Sequence, residues 1–119
     1  MKQTLVLGAS EKTWRYSNMA IKRLRSHGFP VVAIGKNNGK VGDVKIVDNK
    51  FLFKNIDTVT MYLNAQNQRE YYNYIVFLKP KRVIFNPGSE NPELYDTLES
   101  NNIEVLEACT LVLLSADQY

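Results

Sequence analysis

Short runs of branched and aromatic apolar residues alternate along the chain with longer stretches in which apolar residues recur every three or four positions. The short runs predict strands and the longer stretches predict helices. The predicted strands are Gln3–Leu7, Val31–Ile34, Thr58–Leu63, Arg82–Phe85 and Glu104–Leu106. This alternation is typical of an α/β protein in which helices cover both faces of a parallel sheet.

Three of the connections between strands carry helical signals. The first helix is predicted to begin near Ser17, a favourable N-cap residue, and to stop at Gly28. The second has apolar residues at helical spacing from Tyr71 to Leu78 and ends before a proline. The third begins after Asn91, its predicted N-cap, and stops at one of two consecutive asparagines.

The connection between the second and third strands, "GKNNGKVGDVKIVDNKFLFKNID", has no sustained helical period. Its one short alternating piece, Val44–Val47, predicts a minor strand or turn. Right-handed crossovers would then give a single-domain, Rossmann-like, doubly wound sheet of five parallel strands in the order 3-2-1-4-5. The first and fourth strands are neighbours in that order, and their C-terminal ends form the expected ligand crevice.

Length and charge restrict the function further. A chain of 119 residues is long enough for one sizeable core and too short for two ordinary domains, so we expect one domain over residues 1–119. The net charge of +3 comes from scattered basic residues, which argues against nucleic-acid binding. Because the chain has neither a membrane-length apolar run nor a signal-peptide pattern, we expect no membrane association and a cytoplasmic location.

Cysteine and histidine each occur once, as Cys109 and His27. One cysteine forms no disulfide within the chain, and neither residue has partners for a metal site of the Cys or multi-His type, so no metal is expected. The sequence pattern also shows no paired base for Cys109, and a lone cysteine is more often a small buried apolar residue. We therefore assign no catalytic residue and do not expect an enzyme.

Three loops leave the C-terminal edge of the predicted sheet beside the crevice. They are Gly8–Lys12, Gly35–Asn38 and Asn86–Ser89. In the first loop, Gly8 permits a tight turn and close approach of a ligand, while Ser10 and the start of the next helix offer donors to a phosphate. Lys12 adds a positive charge, although a plain strand-to-helix turn would need the same glycine.

The second loop argues against a classical NAD site. Gly8 is not part of a G-x-G-x-x-G pattern, and Gly35-Lys36 stands where an acidic residue would bind the ribose 2′-hydroxyl of NAD. A lysine there suits a phosphorylated ribose, although a solvated loop lysine would give the same pattern. In the third loop, Asn86 and the backbone N–H groups around Gly88 could contact the diphosphate or pantetheine part of a ligand, or form an ordinary turn.

Taken together, these segments resemble the small single-domain CoA-binding proteins, whose fold is shared with the CoA-binding domain of succinyl-CoA synthetase. The matching segments are "LVLGASEKTWRYSNMAIKRLRSHGFPVVAIG", "TVTMYL" and "RVIFNPGSENPELYDTLESNNIEVLEACTLV". They occur in the family's order and cover nearly the whole chain. The resemblance implies binding of CoA or an acyl-CoA. It implies no reaction, because isolated domains lack the ligase partner that holds the phosphorylated histidine.

The resemblance also implies ligand contacts, residue by residue. They fall at Gly8, Ala9, Ser10 and Lys12 in the diphosphate loop, at Ile34, Gly35 and Lys36 in the nucleotide-side turn, at Asn86, Pro87, Gly88 and Ser89 in the Pro-Gly turn, and at Cys109. The chain departs from the family at Gly35-Lys36, where Asn-Pro is usual, and before Cys109, where "EACTLVLL" lacks the usual basic residue.

The leading hypothesis is therefore a non-catalytic module that binds the 3′-phospho-ADP and diphosphate of CoA with these three loops. One alternative is an NADP-type nucleotide-binding oxidoreductase component. Another is a degenerate domain that acts as a protein-interaction module. The sequence predicts a small-molecule nucleotide ligand and identifies no protein partner.

Overall fold

The computed structural model describes residues 2–119 and contains seven strands and five α-helices. The strands are β1 (Thr4–Ala9), β2 (Val31–Gly35), β3 (Gly39–Val41), β4 (Val44–Val47), β5 (Thr58–Met61), β6 (Arg82–Phe85) and β7 (Glu104–Glu107). The helices are α1 (Tyr16–Ser26), α2 (Ala65–Gln68), α3 (Tyr72–Leu78), α4 (Pro92–Ser100) and α5 (Thr110–Ser115), and a 3₁₀ turn, Arg69–Tyr71, joins α2 to α3. The α/β class predicted from the sequence is confirmed.

The sheet has the order β3-β4-β2-β1-β5-β6-β7, and only the β3–β4 pair is antiparallel. The predicted five-stranded order 3-2-1-4-5 is therefore wrong. The third predicted strand is β5, which pairs with β1 in the register Thr4↔Thr58 and separates β1 from β6. It cannot lie beside β2, because β4 already occupies that position with Ile34 opposite Val47.

The connection between β2 and β5 thus builds an edge of the sheet. The minor strand predicted at Val44–Val47 is confirmed as β4, and a turn at Gly42 pairs it with β3. From β1, parallel strands follow one another across the sheet in two directions, through β2 to β4 on one side and through β5 and β6 to β7 on the other. The point where they diverge, and hence the crevice expected at a change of winding direction, lies between β1 and β5.

Helices cover both faces of the sheet, as predicted. On one face, α1 and α5 cover a core that includes Val6, Ile21 and Leu114. On the other face, α3 and α4 supply residues such as Ile75 and Leu94 to a second core. None of the helices described between residues 2 and 119 combines the length and apolar character that a membrane span requires.

Of two predicted N-cap residues, one is wrong and the other is confirmed with a different role for its side chain. The N-cap residue of α1 is Arg15, and Ser17 lies buried within the first turn, so the Ser17 cap is wrong. Asn91 does occupy the N-cap of α4, but its side chain makes no capping hydrogen bond. It donates instead to Gln68 Oε1 at 2.9 Å and to Tyr72 Oη at 2.8 Å, which joins α4 to the α2–α3 segment.

Candidate functional site

The first loop begins at a bulge in β1. The register with β2 shifts between Leu7 and Ala9, and Gly8 takes a φ of +98°. A Cβ atom at Gly8 would lie 3.1 Å from the Tyr62 carbonyl carbon and 3.2 Å from the Leu63 nitrogen. The glycine is therefore required by the approach of β1 to the chain after β5, whether or not a ligand comes close.

Beyond the bulge, the loop is ordered by its own hydrogen bonds. Ser10 Oγ accepts from the Lys12 amide at 3.1 Å, and the Ser10 carbonyl accepts from Asn18 Nδ2 at 3.0 Å. Glu11 reaches across the edge of the sheet to accept from the Lys40 amide at 3.0 Å, which ties the loop to the β3–β4 hairpin. The Lys12 side chain is exposed and lies over the Trp14 ring at 5.9 Å.

The start of α1 offers backbone donors next to this loop. Its N-cap, Arg15, makes no side-chain capping bond, and its first turn contains no acidic residue. Helix N-termini carry free N–H groups and a partial positive charge, which together favour an anion. The first turn of α1 can therefore receive a phosphate group.

A cleft of about 440 Å³ opens beside β1 on the face covered by α3 and α4. The residues that line it are Gly8, Ile34, Gly35, Lys36, Asp48, Leu63, Asn67, Glu70 and Tyr71. We call this opening the nucleotide cleft. It contains four of the predicted site residues, and Lys36 makes no ion pair within residues 2–119.

Gly35 is required by packing at the floor of the nucleotide cleft. A Cβ atom there would lie 2.3 Å from the Ala9 carbonyl oxygen and 2.9 Å from Ile46 Cγ2. On the wall of the cleft, burial and, secondarily, the charge of Glu70 raise the pKa of Tyr71. The Tyr71 phenol is therefore neutral, and its half-buried ring supplies an aromatic surface.

A second opening of about 230 Å³ is lined by Tyr16, Tyr62, Asn86, Pro87, Cys109 and Leu111. We call it the apolar pocket. Tyr62 packs with the core under α1 and α5, whereas the next residue, Leu63, packs with the core under α3 and α4. The chain after β5 thus separates the nucleotide cleft from the apolar pocket.

Asn86 lines the apolar pocket, but its amide is occupied within the fold. It donates to Thr60 Oγ1 at 2.8 Å and to the Met61 carbonyl at 2.9 Å, and it accepts from the Thr110 amide at 2.9 Å. Ser89 is likewise buried and donates to the Asn86 carbonyl at 2.7 Å. These two polar groups shape the turn. The Gly88 amide donates to Glu90 Oε1 at 2.9 Å, and the space around the Gly88 Cβ position is open, with a φ of +95°.

Tyr62 carries a buried hydroxyl that makes no hydrogen bond within residues 2–119. Burial is the main cause that raises the pKa of Tyr62 to about 12. The apolar pocket therefore has a neutral phenol at its base. Cys109, at the N-cap of α5, is half-buried in the same wall.

The predicted site residues are thus divided between two openings. Ala9, Ser10, Lys12, Gly88 and Ser89 line neither of them. Sequence reasoning missed Asp48, Tyr62 and Tyr71, which do. The alternation at Val44–Val47 could have pointed to Asp48, because a parallel strand ending at residue 47 puts residue 48 at the same edge as Gly35.

No metal site accompanies these openings. Between residues 2 and 119 there is no group of three or more His, Cys, Asp or Glu side chains that could hold a metal ion.

The sequence model for the CoA binding domain matches residues 2–115. The chain belongs to the CoA-binding domain family. No curated protein matches. Among solved structures, a crystal structure of an uncharacterised protein is 50% identical, covers 100% of this chain and 98% of its own, and superposes with a TM-score of 0.97.

More distant structures show the fold of this CoA-binding domain. A Thermus thermophilus protein, described as cell-free ID.343, is 19% identical with a TM-score of 0.88 and covers 99% of this chain and 90% of its own. A dinucleotide-forming acetyl-coenzyme A synthetase 1 from Ca. Korarchaeum cryptofilum, in complex with phosphate and ADP, is 15% identical with a TM-score of 0.75. It matches 89% of this chain over 25% of its own length.

Proposed function

We propose that this CoA-binding domain binds CoA or an acyl-CoA without catalysing a reaction on it, through the loops at the C-terminal edge of its sheet. The observation that carries the proposal is the pair of openings on either side of the chain after β5. CoA has a charged nucleotide at one end and a weakly polar thiol arm at the other. The two openings differ in the same sense, since one contains Lys36 and the other is lined mainly by aromatic and apolar side chains.

In this proposal, the 3′-phospho-ADP part lies in the nucleotide cleft. The Tyr71 ring, with Lys50 Nζ 5.1 Å from its centroid, forms an aromatic wall beside the adenine. The exposed Lys36 ammonium, which makes no ion pair within residues 2–119, meets the 3′-phosphate. The lysine that replaces the family's usual proline would thus supply a charge at the phosphorylated ribose.

The diphosphate then crosses the end of β1 towards the other face of the sheet. It passes the uncapped first turn of α1, whose N–H groups and dipole favour an anion, with the exposed Lys12 nearby. The thiol arm ends in the apolar pocket between Tyr62 and Pro87, where there is room for the thiol or a short acyl group.

The absence of a base beside Cys109 supports a binding role over a catalytic one. The sole histidine, His27, follows α1 at the N-terminal edge of the sheet, opposite to the edge that carries Cys109. A reactive thiolate is favoured by a nearby base, a positive charge or a helix N-terminus. Of these, Cys109 has the N-terminus of the short helix α5, and it is the missing base that favours a binding role.

Isothermal titration calorimetry with CoA, acetyl-CoA, NADPH, NADH and ADP tests the proposal. We expect CoA to bind more tightly than NADPH, and NADH to bind most weakly. CoA and NADPH both carry a ribose phosphate for Lys36, whereas NADH carries none. Tighter binding of NADPH than of CoA would favour an oxidoreductase component. Failure of all five nucleotides to bind would favour a protein-interaction module.

A further inference from the structure

One carboxylate in the nucleotide cleft has no partner. Asp48 follows β4 directly, and the parallel register in which Ile34 pairs with Val47 brings it level with Gly35. Its backbone is held by a hydrogen bond of 3.1 Å from the Asp48 amide to Asn38 Oδ1. Its side-chain oxygens make no hydrogen bond or ion pair with any residue from 2 to 119, so they are free to accept from a ligand.

The other acidic residue of the cleft is already engaged. Glu70 lies 3.8 Å from the Lys50 ammonium, which offsets its charge. Asp48 and Lys36 therefore remain as one free anion and one free cation on the same wall of the cleft. A ligand that satisfies both presents a hydrogen-bond donor and an anionic group close together.

A phosphorylated ribose has that arrangement, since its 2′ and 3′ positions carry one hydroxyl and one phosphate. We propose that Asp48 accepts a hydrogen bond from the ribose 2′-hydroxyl and makes the cleft selective for 3′-phosphorylated over 2′-phosphorylated adenosine. This inference rests on the proposed CoA function, which sets the phosphate at the 3′ position and leaves the 2′-hydroxyl free. A phosphate at the 2′ position would instead face the Asp48 carboxylate and be repelled.

The position of Asp48 also accounts for the missing acid at the end of β2. In dinucleotide-binding folds, an acidic residue after the second strand binds the ribose hydroxyl, whereas β2 ends here in Gly35 and is followed by Lys36. The neighbouring parallel strand β4 supplies a carboxylate at the same edge of the sheet. Lys36 is thereby left for the phosphate.

Two isomers of equal charge test the selectivity, adenosine 3′,5′-bisphosphate and adenosine 2′,5′-bisphosphate. We expect the unmodified protein to bind the 3′,5′ isomer about tenfold more tightly, the scale of one charge-assisted hydrogen bond. Asp48→Asn keeps the shape and removes the charge, and should bring the two affinities to within about threefold. Asp96→Asn, an equal change of charge on the exposed surface of α4, should leave the ratio unaltered.

A ligand lacking the hydroxyl completes the test. The unmodified protein should bind 2′-deoxyadenosine 3′,5′-bisphosphate about tenfold more weakly than the ribose form, and Asp48→Asn should reduce that difference severalfold. If CoA binds but Asp48→Asn changes neither ratio, Asp48 has no role in selectivity while the proposed function stands. If neither CoA nor either bisphosphate isomer binds, both the proposed function and this inference are wrong.

Discussion

Gly8 illustrates how a residue that suits a ligand site can be required by the fold. Its φ of +98° and the 3.1 Å approach of a Cβ atom to the Tyr62 backbone are two separate reasons for a glycine. Gly88 has only the first reason, because its φ is +95° and no heavy atom lies within 4 Å of its Cβ position. The two glycines therefore allow the backbone conformation and the steric contact to be measured separately.

Gly8→Ala should lower the free energy of unfolding by about 2–3 kcal/mol, since it adds a backbone clash to the cost of a left-handed conformation. Gly88→Ala should lower it by about 1–2 kcal/mol, from the conformation alone. Urea unfolding followed by circular dichroism measures both. Equal losses in the two variants would mean that the chain after β5 moves aside without cost.

Substitution of Cys109 distinguishes a binding role from a catalytic role for the domain. Because no base accompanies the thiol and the apolar pocket has five other lining residues, Cys109→Ala should change CoA affinity less than about threefold. Hydrolysis of acetyl-CoA by the unmodified protein should not exceed the rate in buffer. Turnover that disappears in Cys109→Ala would show that the domain is an enzyme.

At the scale of elements, two buried side chains, Asn86 and Thr60, hydrogen-bond to Thr110 at the start of the short helix α5. Asn86 accepts from the Thr110 amide at the start of α5 and donates to Thr60 and to the Met61 carbonyl. It thereby links the ends of β5 and β6 to the helix that carries one wall of the apolar pocket. We expect the pocket and α5 to lose order together when this link is removed.

Asn86→Ala should lower the free energy of unfolding by about 3 kcal/mol, because it removes three buried hydrogen bonds, although Thr60 Oγ1 keeps its bond of 2.8 Å to Thr110 Oγ1. Amide hydrogen exchange of Thr110 should become markedly faster than that of β1. Asn101→Ala is the matched control, since it removes one exposed hydrogen bond to the Thr97 carbonyl and should cost about 0.5 kcal/mol. Unchanged protection of Thr110 in Asn86→Ala would show that packing and the Thr60–Thr110 hydroxyl bond hold α5 without Asn86.

Elements were more predictable from the sequence than their neighbours in the sheet. Local signals such as Pro92 at the start of α4 and the alternation at Val44–Val47 act within a few residues, and both elements form where expected. The side of β1 on which β5 pairs depends on contacts between residues about 54 positions apart, such as Thr4 and Thr58, and no local pattern encodes them. The predicted order of the strands is therefore wrong although each predicted strand forms, and β3 is the strand that the sequence pattern did not predict.

The dependence on contacts between distant residues also limited how much of the candidate site could be predicted from the sequence. Lys36 and Cys109 lie within about three residues of the ends of predicted strands, so a rule about strand ends was enough to single them out. Asp48 follows a strand whose parallel pairing with β2 was unknown, and Tyr71 has the spacing of a core helix. Residues that join the site through pairing between distant strands can be identified only from the folded structure.

For the whole molecule, the proposed function requires one ligand to reach both faces of a single sheet. The end of β1 and the chain after β5 lie between the two openings, and helices cover a core on each face. A long ligand with a flexible middle is suited to such a site, as CoA is. The apolar pocket carries a structural cost, because the buried Tyr62 hydroxyl lies at its base without a hydrogen bond.

The burial of two tyrosine side chains predicts how the stability of the fold depends on pH. Burial raises the pKa of Tyr62 to about 12, and burial followed by the charge of Tyr71 raises the pKa of Tyr74 to about 12. In the unfolded chain these phenols titrate near ~10, so between these values the unfolded state binds fewer protons than the folded state. Stability is therefore present in full below pH ~10 and is lost as the pH rises towards ~12.

Tyr62→Phe removes one of these titrating groups and should make the fall of the urea midpoint between pH ~9 and ~11.5 shallower. At neutral pH the substitution should change the free energy of unfolding by less than about 1 kcal/mol, since the hydroxyl that it removes is buried without a hydrogen bond. Tyr16→Phe, which changes an exposed phenol, should retain the slope of the unmodified protein. Equal slopes in all three proteins would mean that Tyr62 ionises as readily in the folded state as in the unfolded state, and that the base of the apolar pocket is open to water.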